Sequence, residues 1–291
     1  MRSFLPILTV VTAIVVFWYG AAVWMNAKWA QDQAVRAGVE LSIPELVADT
    51  WSQERPRLPA PHQVVVELWN TTADMALQGR AMSKRSLIFH GWITLSATLL
   101  GFVMGTGAGI LLAVGIVYYR VMDMSVMPWA IASQTIPILA IAPMIIVVLN
   151  SVGIQGLIPK AIISAYLSFF PVVVGMVKGL RSPSSDQLDL LRTYNATPNA
   201  TFWKLRLPSS TPYLFTSLKI GMAASLVGAI VGELPTGAVR GLGARMLTGS
   251  YYGQTIQIWS ALFAAAILAA ILVGAIGLAE RSILKRMGMS Q

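Results

Sequence analysis

Long apolar runs separated by short polar segments recur along most of this chain. Runs at residues 4–25, 91–118, 126–149, 157–177, 214–234 and 256–278 each approach or exceed the roughly 20 residues that a membrane-crossing helix needs. The pattern predicts six transmembrane helices. The first run follows Arg2, as a signal peptide would. It is too long for a signal-peptide core, however, and no small-x-small cleavage site follows it, so an uncleaved helix is expected. Residues 26–86 break the pattern. They hold seven basic and seven acidic side chains and prolines at Pro44, Pro56, Pro59 and Pro61, too much charge for a span. Val65, Leu68, Thr72 and Met75 share one helical face there, which predicts a surface amphipathic helix. The chain thus divides into a first transmembrane helix (1–26), an extramembrane segment (27–86), a five-helix core (87–280) and a short tail (281–291).

Composition agrees. Apolar residues make up 56% of the chain and charged residues 11%, against about 25% charged in ordinary globular proteins. That excludes a water-soluble domain and a disordered one. There is no cysteine, and the two histidines, His62 and His90, are too few to suggest a metal centre, so none is expected. The net charge of +9 comes without a basic run interleaved with aromatics, so membrane lipid, not nucleic acid, is the expected partner of that charge. With the N-terminus inside, ten Lys and Arg fall on internal segments: Arg2, Arg120, Lys178, Arg181, Arg192, Lys204, Arg206, Arg281, Lys285 and Arg286. Three, Lys160, Arg240 and Arg245, fall on the short external loops. This bias predicts both termini in the cytoplasm and 27–86 outside.

Within the apolar runs, Gly101, Gly105 and Gly109 recur at four-residue spacing, as do Gly228 and Gly232. Glycines so spaced let helix backbones approach closely. Pro137 and Pro143 interrupt the third run and Pro171 the fourth, which suggests packed or pathway-lining helices. Polar groups are scarce. Gln134, Thr135, Asn150 and Glu233 are the candidate pathway residues, because polar side chains at membrane depth face cavities or one another. Lys219 is expected to snorkel to the cytoplasmic interface.

The longest internal loop, residues 179–213, is polar but has helix signals. Ser184 or Ser185 can cap a helix starting near Asp186, with Asp189 in its first turn. Asn195 tolerates the left-handed turn that ends helices. Thr197 and Pro198 suit the cap and first position of a second helix, and Pro208 and Pro212 are expected to close the segment.

The run Asp189-Leu190-Leu191, three residues, Asn195, nine residues, then Leu205-Arg206-Leu207-Pro208 resembles the EAA loop of binding-protein-dependent ABC importer permeases, E-A-A-x3-G-x9-I-x-L-P. The spacing matches throughout. Leu207 and Pro208 are identical to the pattern, while Leu190 and Leu191 replace two alanines and Asn195 replaces glycine. Leu58-Pro59-Ala60-Pro61, the Thr135-Ile136-Pro137 to Pro143 stretch and Gly232-Glu233 are similar to the branch that includes taurine, alkanesulfonate, nitrate, pyrimidine and riboflavin-type permeases.

The resemblance implies an all-α, six-helix bundle of the type I ABC importer permease kind, in the cell inner membrane. It implies that Asp189, Leu190, Leu191, Asn195, Pro198, Leu205, Leu207 and Pro208 couple the chain to a separate ATPase. It also implies a permease homodimer with two ATPase copies, which carry ATP and Mg, and a periplasmic binding protein delivering a small organic or anionic nutrient. No Gly-Lys dipeptide occurs in the chain, so no phosphate-binding loop, catalytic residue or cofactor is expected in it. Other classes fare worse. An ion-coupled secondary transporter generally needs intramembrane acids or broken helices in repeats. A membrane enzyme needs clustered His, Asp or Glu. A non-transporting scaffold is opposed by the loop pattern.

Overall fold

The computed structural model describes residues 4–235 and 240–289. All regular structure among them is helical: α1 (Phe4–Ala37), α2 (Ile43–Ser52), α3 (Pro61–Trp69), α4 (Met75–Leu77), α5 (Leu87–Tyr118), α6 (Arg120–Ser133), α7 (Ile138–Ser151), α8 (Leu157–Leu180), α9 (Ser185–Thr193), α10 (Pro198–Thr201), α11 (Leu207–Glu233), α12 (Leu242–Tyr251) and α13 (Thr255–Arg286). Single π-helical turns, Asn70–Asp74 and Phe202–Arg206, join α3 to α4 and α10 to α11. Among the described residues, five helices are long and apolar enough to cross a membrane: α1, α5, α8, the continuous rod through α10 and α11, and α13; the bent pair of α6 and α7, counted as one span, would make six.

The third expected span differs. It is split into α6 and α7, which meet at 100°. Pro137 explains the break: it has no N–H to donate, and its ring pushes Ile136 out of the helical region. The first helix also runs past residue 26, through Ala37, because nothing breaks it until Gly38 adopts φ +68°.

The chain forms two compact units, one made of residues 1–91 and 244–265, the other of 92–243 and 266–291. In the first, α2 and α3 pack on α1. Asn26 organises this packing. Its fully buried amide donates to Thr50 O (3.3 Å) and Leu58 O (2.8 Å), and its oxygen accepts from Arg57 N (2.8 Å) and Leu58 N (3.3 Å). Trp18 Nε1 donates to Pro59 O at 2.9 Å, so the Leu58–Pro61 stretch is folded down on α1. Asn26→Leu should leave those backbone groups unpaired, at about 1–3 kcal/mol each. Limited proteolysis is expected to cut within 50–60 in the variant and to spare the wild type. On α3, Val64 is buried and Val65 is 64% exposed, so the inward face lies one residue earlier than the amphipathic pattern suggested.

In the second unit α8 is central and packs along α11. The two glycine rows grip it from two sides. A methyl group on Gly105 would come within 2.8 Å of Ala165 O, and one on Gly228 within 2.7 Å of Ser164 Cα, so both helices touch α8 backbone to backbone. Ser164 Oγ reaches Ser225 O at 2.7 Å and Ser225 Oγ reaches Thr98 O at 2.8 Å, stitching the three helices where side chains are smallest. Below this lies an apolar core of Ile116, Val172, Val173, Met176 and Leu180.

Candidate functional site

The segment from Ser184 to Arg206 is a helix, a tight turn and a second helix. Ser184 caps α9: its Oγ accepts from Gln187 N at 3.4 Å, and Gln187 Oε1 accepts from Ser184 N at 3.1 Å. Asn195 ends the turn with φ 50°, the one positive φ of a non-glycine among the described residues. Thr197 Oγ1 accepts from Ala200 N at 3.2 Å and Pro198 opens α10. Asp189 lies one turn later than expected. Asp186 occupies the first turn, and Asp189 pairs with Arg192 at 2.7 Å on the open face of the helix.

Pro208 and Pro212 do not close the segment as expected; both lie inside a helix that continues into the span. The π turn at Phe202–Arg206 explains the first. Its wider ring spares the Lys204 carbonyl that the ring of Pro208 would otherwise strike, so the helix passes through there, and Pro212 follows inside the α-helix with its missing N–H tolerated. Arg206 fastens the join by donating to Leu180 O at 2.8 Å, and Phe202 meets Tyr118 edge-on at 5.8 Å. Arg181 and Asp123 pair nearby at 2.9 Å.

The eight coupling candidates fall into two sets. Asp189, Leu190, Asn195 and Pro198 are exposed, whereas Leu191, Leu205, Leu207 and Pro208 are half-buried, and Leu207 packs on the apolar core. Leu190, Tyr194 and Trp203 present large apolar surface outward, 57%, 76% and 61% exposed, among exposed positions that are otherwise mainly polar. A cleft of about 280 Å³ opens beneath, between Tyr118, Leu188, Arg192 and Arg206.

The four pathway candidates occupy different settings. Gln134 and Thr135 sit at the α6–α7 corner, where Thr135 Oγ1 donates to Ala132 O at 2.8 Å. Asn150 is exposed near the end of α7. Glu233 is fully buried. Its carboxylate accepts from Thr94 Oγ1 (3.0 Å to Oε1 and 3.1 Å to Oε2) and from Gly243 N (2.8 Å). Lys160 Nζ stands 3.9 Å away and donates to Arg240 O at 3.4 Å, while Leu242 N donates to Thr94 Oγ1 at 2.9 Å. The carboxylate thus complements the amide end of α12. It also fills the place a side chain at Gly241 would take, and Gly241 holds φ +125°, so two independent constraints require glycine there.

Sequence reasoning placed Lys160 in an external loop and overlooked Thr94, Gly241 and Gly243. The signal was present: a lysine inside an apolar run, and a Gly-Leu-Gly triplet shortly after an acid that ends a span. Lys219, expected to snorkel, keeps its side chain about one-third exposed (35%) and pairs with Glu280 on α13. His90 is buried and bonds to Lys84 O at 3.0 Å, and His62 lies against Tyr19, in keeping with structural roles.

Residues 105–287 match the family model described as the binding-protein-dependent transport system inner membrane component. The chain belongs to this family. The permease is 30% identical to a probable ABC transporter permease protein of Haemophilus influenzae over 77% of its own length and 85% of the relative's. It is 32% identical to the formylaminopyrimidine transport permease protein ThiX of Halalkalibacterium halodurans, over 66% and 71% of the two chains. It is 29% identical to the riboflavin transport system permease protein RibX of Chloroflexus aurantiacus, over 78% and 80%. The permease is therefore an all-α, polytopic membrane protein of the ABC transport class.

Proposed function

We propose that this permease forms the membrane pathway of an ATP-driven importer for a small organic or anionic nutrient. A separate ATPase, present in two copies, docks on the 185–206 segment and carries the ATP and Mg. A periplasmic binding protein delivers the nutrient, two permease copies pair around the pathway, and both termini face the cytoplasm. One observation carries the reading most. The capped helix–turn–helix segment exposes Leu190, Tyr194 and Trp203, yet is fused without a break to a membrane-crossing helix. A rigid foot of this kind converts movement of a docked partner into movement of the span. Exposed aromatics beside charged residues also suit a protein partner.

The test is substrate uptake measured beside recovery of the ATPase with tagged permease. The exposed Asp189–Arg192 pair is worth at most about 1 kcal/mol to the fold. Asp189→Lys should therefore leave the permease inserted, while reversing charge on the docking face. Pro198→Gly should loosen α10. Both variants are expected to lose most uptake and to retain less ATPase. Wild-type uptake with full ATPase recovery in both would refute the coupling assignment.

A further inference from the structure

A second cleft opens between the first turns of α11 and the last turns of α13. It encloses about 650 Å³, within the range of small-molecule sites. Its lining includes Pro212 and Thr216 from α11, and Arg281, Leu284 and Lys285 from α13, with Met289 beyond the helix end. Glu280 also borders it, but that carboxylate is held by Lys219. The pair cancels, which leaves Arg281 and Lys285, one turn apart and both exposed, as two cations with no counter-charge among the described residues, over a floor of Pro212, Leu284 and Met289.

Pro212 and Thr216 are a shared wall. On their other side a mostly apolar groove of about 570 Å³ runs between α8 and α11 past Phe170, Val174 and Ile220, with Lys178 also on its wall and its ammonium over the Tyr213 ring at 5.9 Å. A polar cleft with a double cation therefore adjoins a long apolar trough at the end of a membrane span. Phosphate needs the first and an acyl chain needs the second. A soluble metabolite would have no use for a trough at membrane depth, and a protein segment would not require both features at this spacing.

We propose that this cleft binds one anionic phospholipid of the inner leaflet, its phosphate held by Arg281 and Lys285 and its glycerol and acyl part lying over Leu284, Met289 and Pro212 toward the apolar groove. Basic pockets between spans on the cytoplasmic side recognise anionic headgroups in this way. The leaflet assignment rests on the cytoplasmic termini proposed above; the binding chemistry does not.

Full-length permease, reconstituted in phosphatidylethanolamine with phosphatidylglycerol, is purified and its retained lipid read by native mass spectrometry. The wild type is expected to keep one phosphatidylglycerol. The double variant Arg281→Gln, Lys285→Gln should bind it about thirtyfold more weakly, from the typical contribution of two cations near a membrane surface. Lys204→Gln, a cation elsewhere on the same side, should bind as the wild type does. Equal retention in the double variant would overturn the proposal. So would equal retention of phosphatidylethanolamine by the wild type, or displacement by inorganic phosphate, which would mark a free-anion site. Labelling of Met289→Cys by an impermeant thiol reagent in intact cells would overturn the inner-leaflet assignment alone, leaving the lipid measurement to stand. Labelling only after permeabilisation supports it.

Discussion

Replacing Glu233 by leucine is expected to destabilise the permease by about 3–5 kcal/mol, the usual cost of removing one partner from a buried charge pair. Three consequences combine. Lys160, nearly buried, loses its counter-charge at 3.9 Å. Gly243 N and Thr94 Oγ1 lose their acceptor. The volume next to Gly241 is refilled by a branched side chain where the carboxylate had lain flat. Glu233→Gln should cost less, since an amide oxygen can still accept from Gly243. The diagnostic experiment is a double-mutant cycle: Lys160→Leu placed on Glu233→Leu should recover part of the loss, because no charge is then left unpaired. Thermal stability in detergent provides the readout. Independent, additive losses would show that the lysine and the carboxylate do not act as a pair.

Gly228→Leu should be the other severe substitution. A Cβ there already meets Ser164 Cα at 2.7 Å and Ile163 O at 3.0 Å, and both are backbone atoms that no side-chain rotation can move. Overpacking a well-filled interior typically costs about 1–3 kcal/mol, and more where the obstacle is main chain. The α8–α11 contact must open along its length, so loss of monodisperse protein on size exclusion is expected. Gly107→Leu, in the same α5 helix as the glycine row but facing open space, is the control and should be tolerated. Comparable losses at both positions would mean that the small residues serve something other than close approach.

Much of this architecture is legible from residue order. Glycines at four-residue spacing announce close helix pairs without naming the partner, and α8 answers for both rows. The Ser184, Asn195, Thr197 and Pro198 signals are local, each acting through its own backbone, so the helix–turn–helix segment follows from sequence almost residue by residue. The missed features are non-local. Pro137 marks where the third run is interrupted, but the size of the turn, 100°, depends on neighbours that tolerate a broken span, which no local pattern reports. The passage of Pro208 through a helix goes with a π turn whose side chains are held from afar, Phe202 by Tyr118 and Arg206 by Leu180 O. The buried carboxylate draws Thr94, Lys160 and Gly243 from positions far apart in the chain. Its lysine looked like an ordinary external cation because the charge count has no means of registering depth.

The π turn has a mechanical consequence. Residues from Pro198 to Glu233 form one uninterrupted rod of 36 residues, about 54 Å at 1.5 Å per residue. Trp203 stands near its foot and the buried carboxylate caps its head. A normal proline break at 208 would have left a swivel between them. With the swivel removed, a twist or tilt imposed at the foot arrives at the head undiminished in angle, and the hydrogen bonds of Glu233 become the far bearing of a crankshaft.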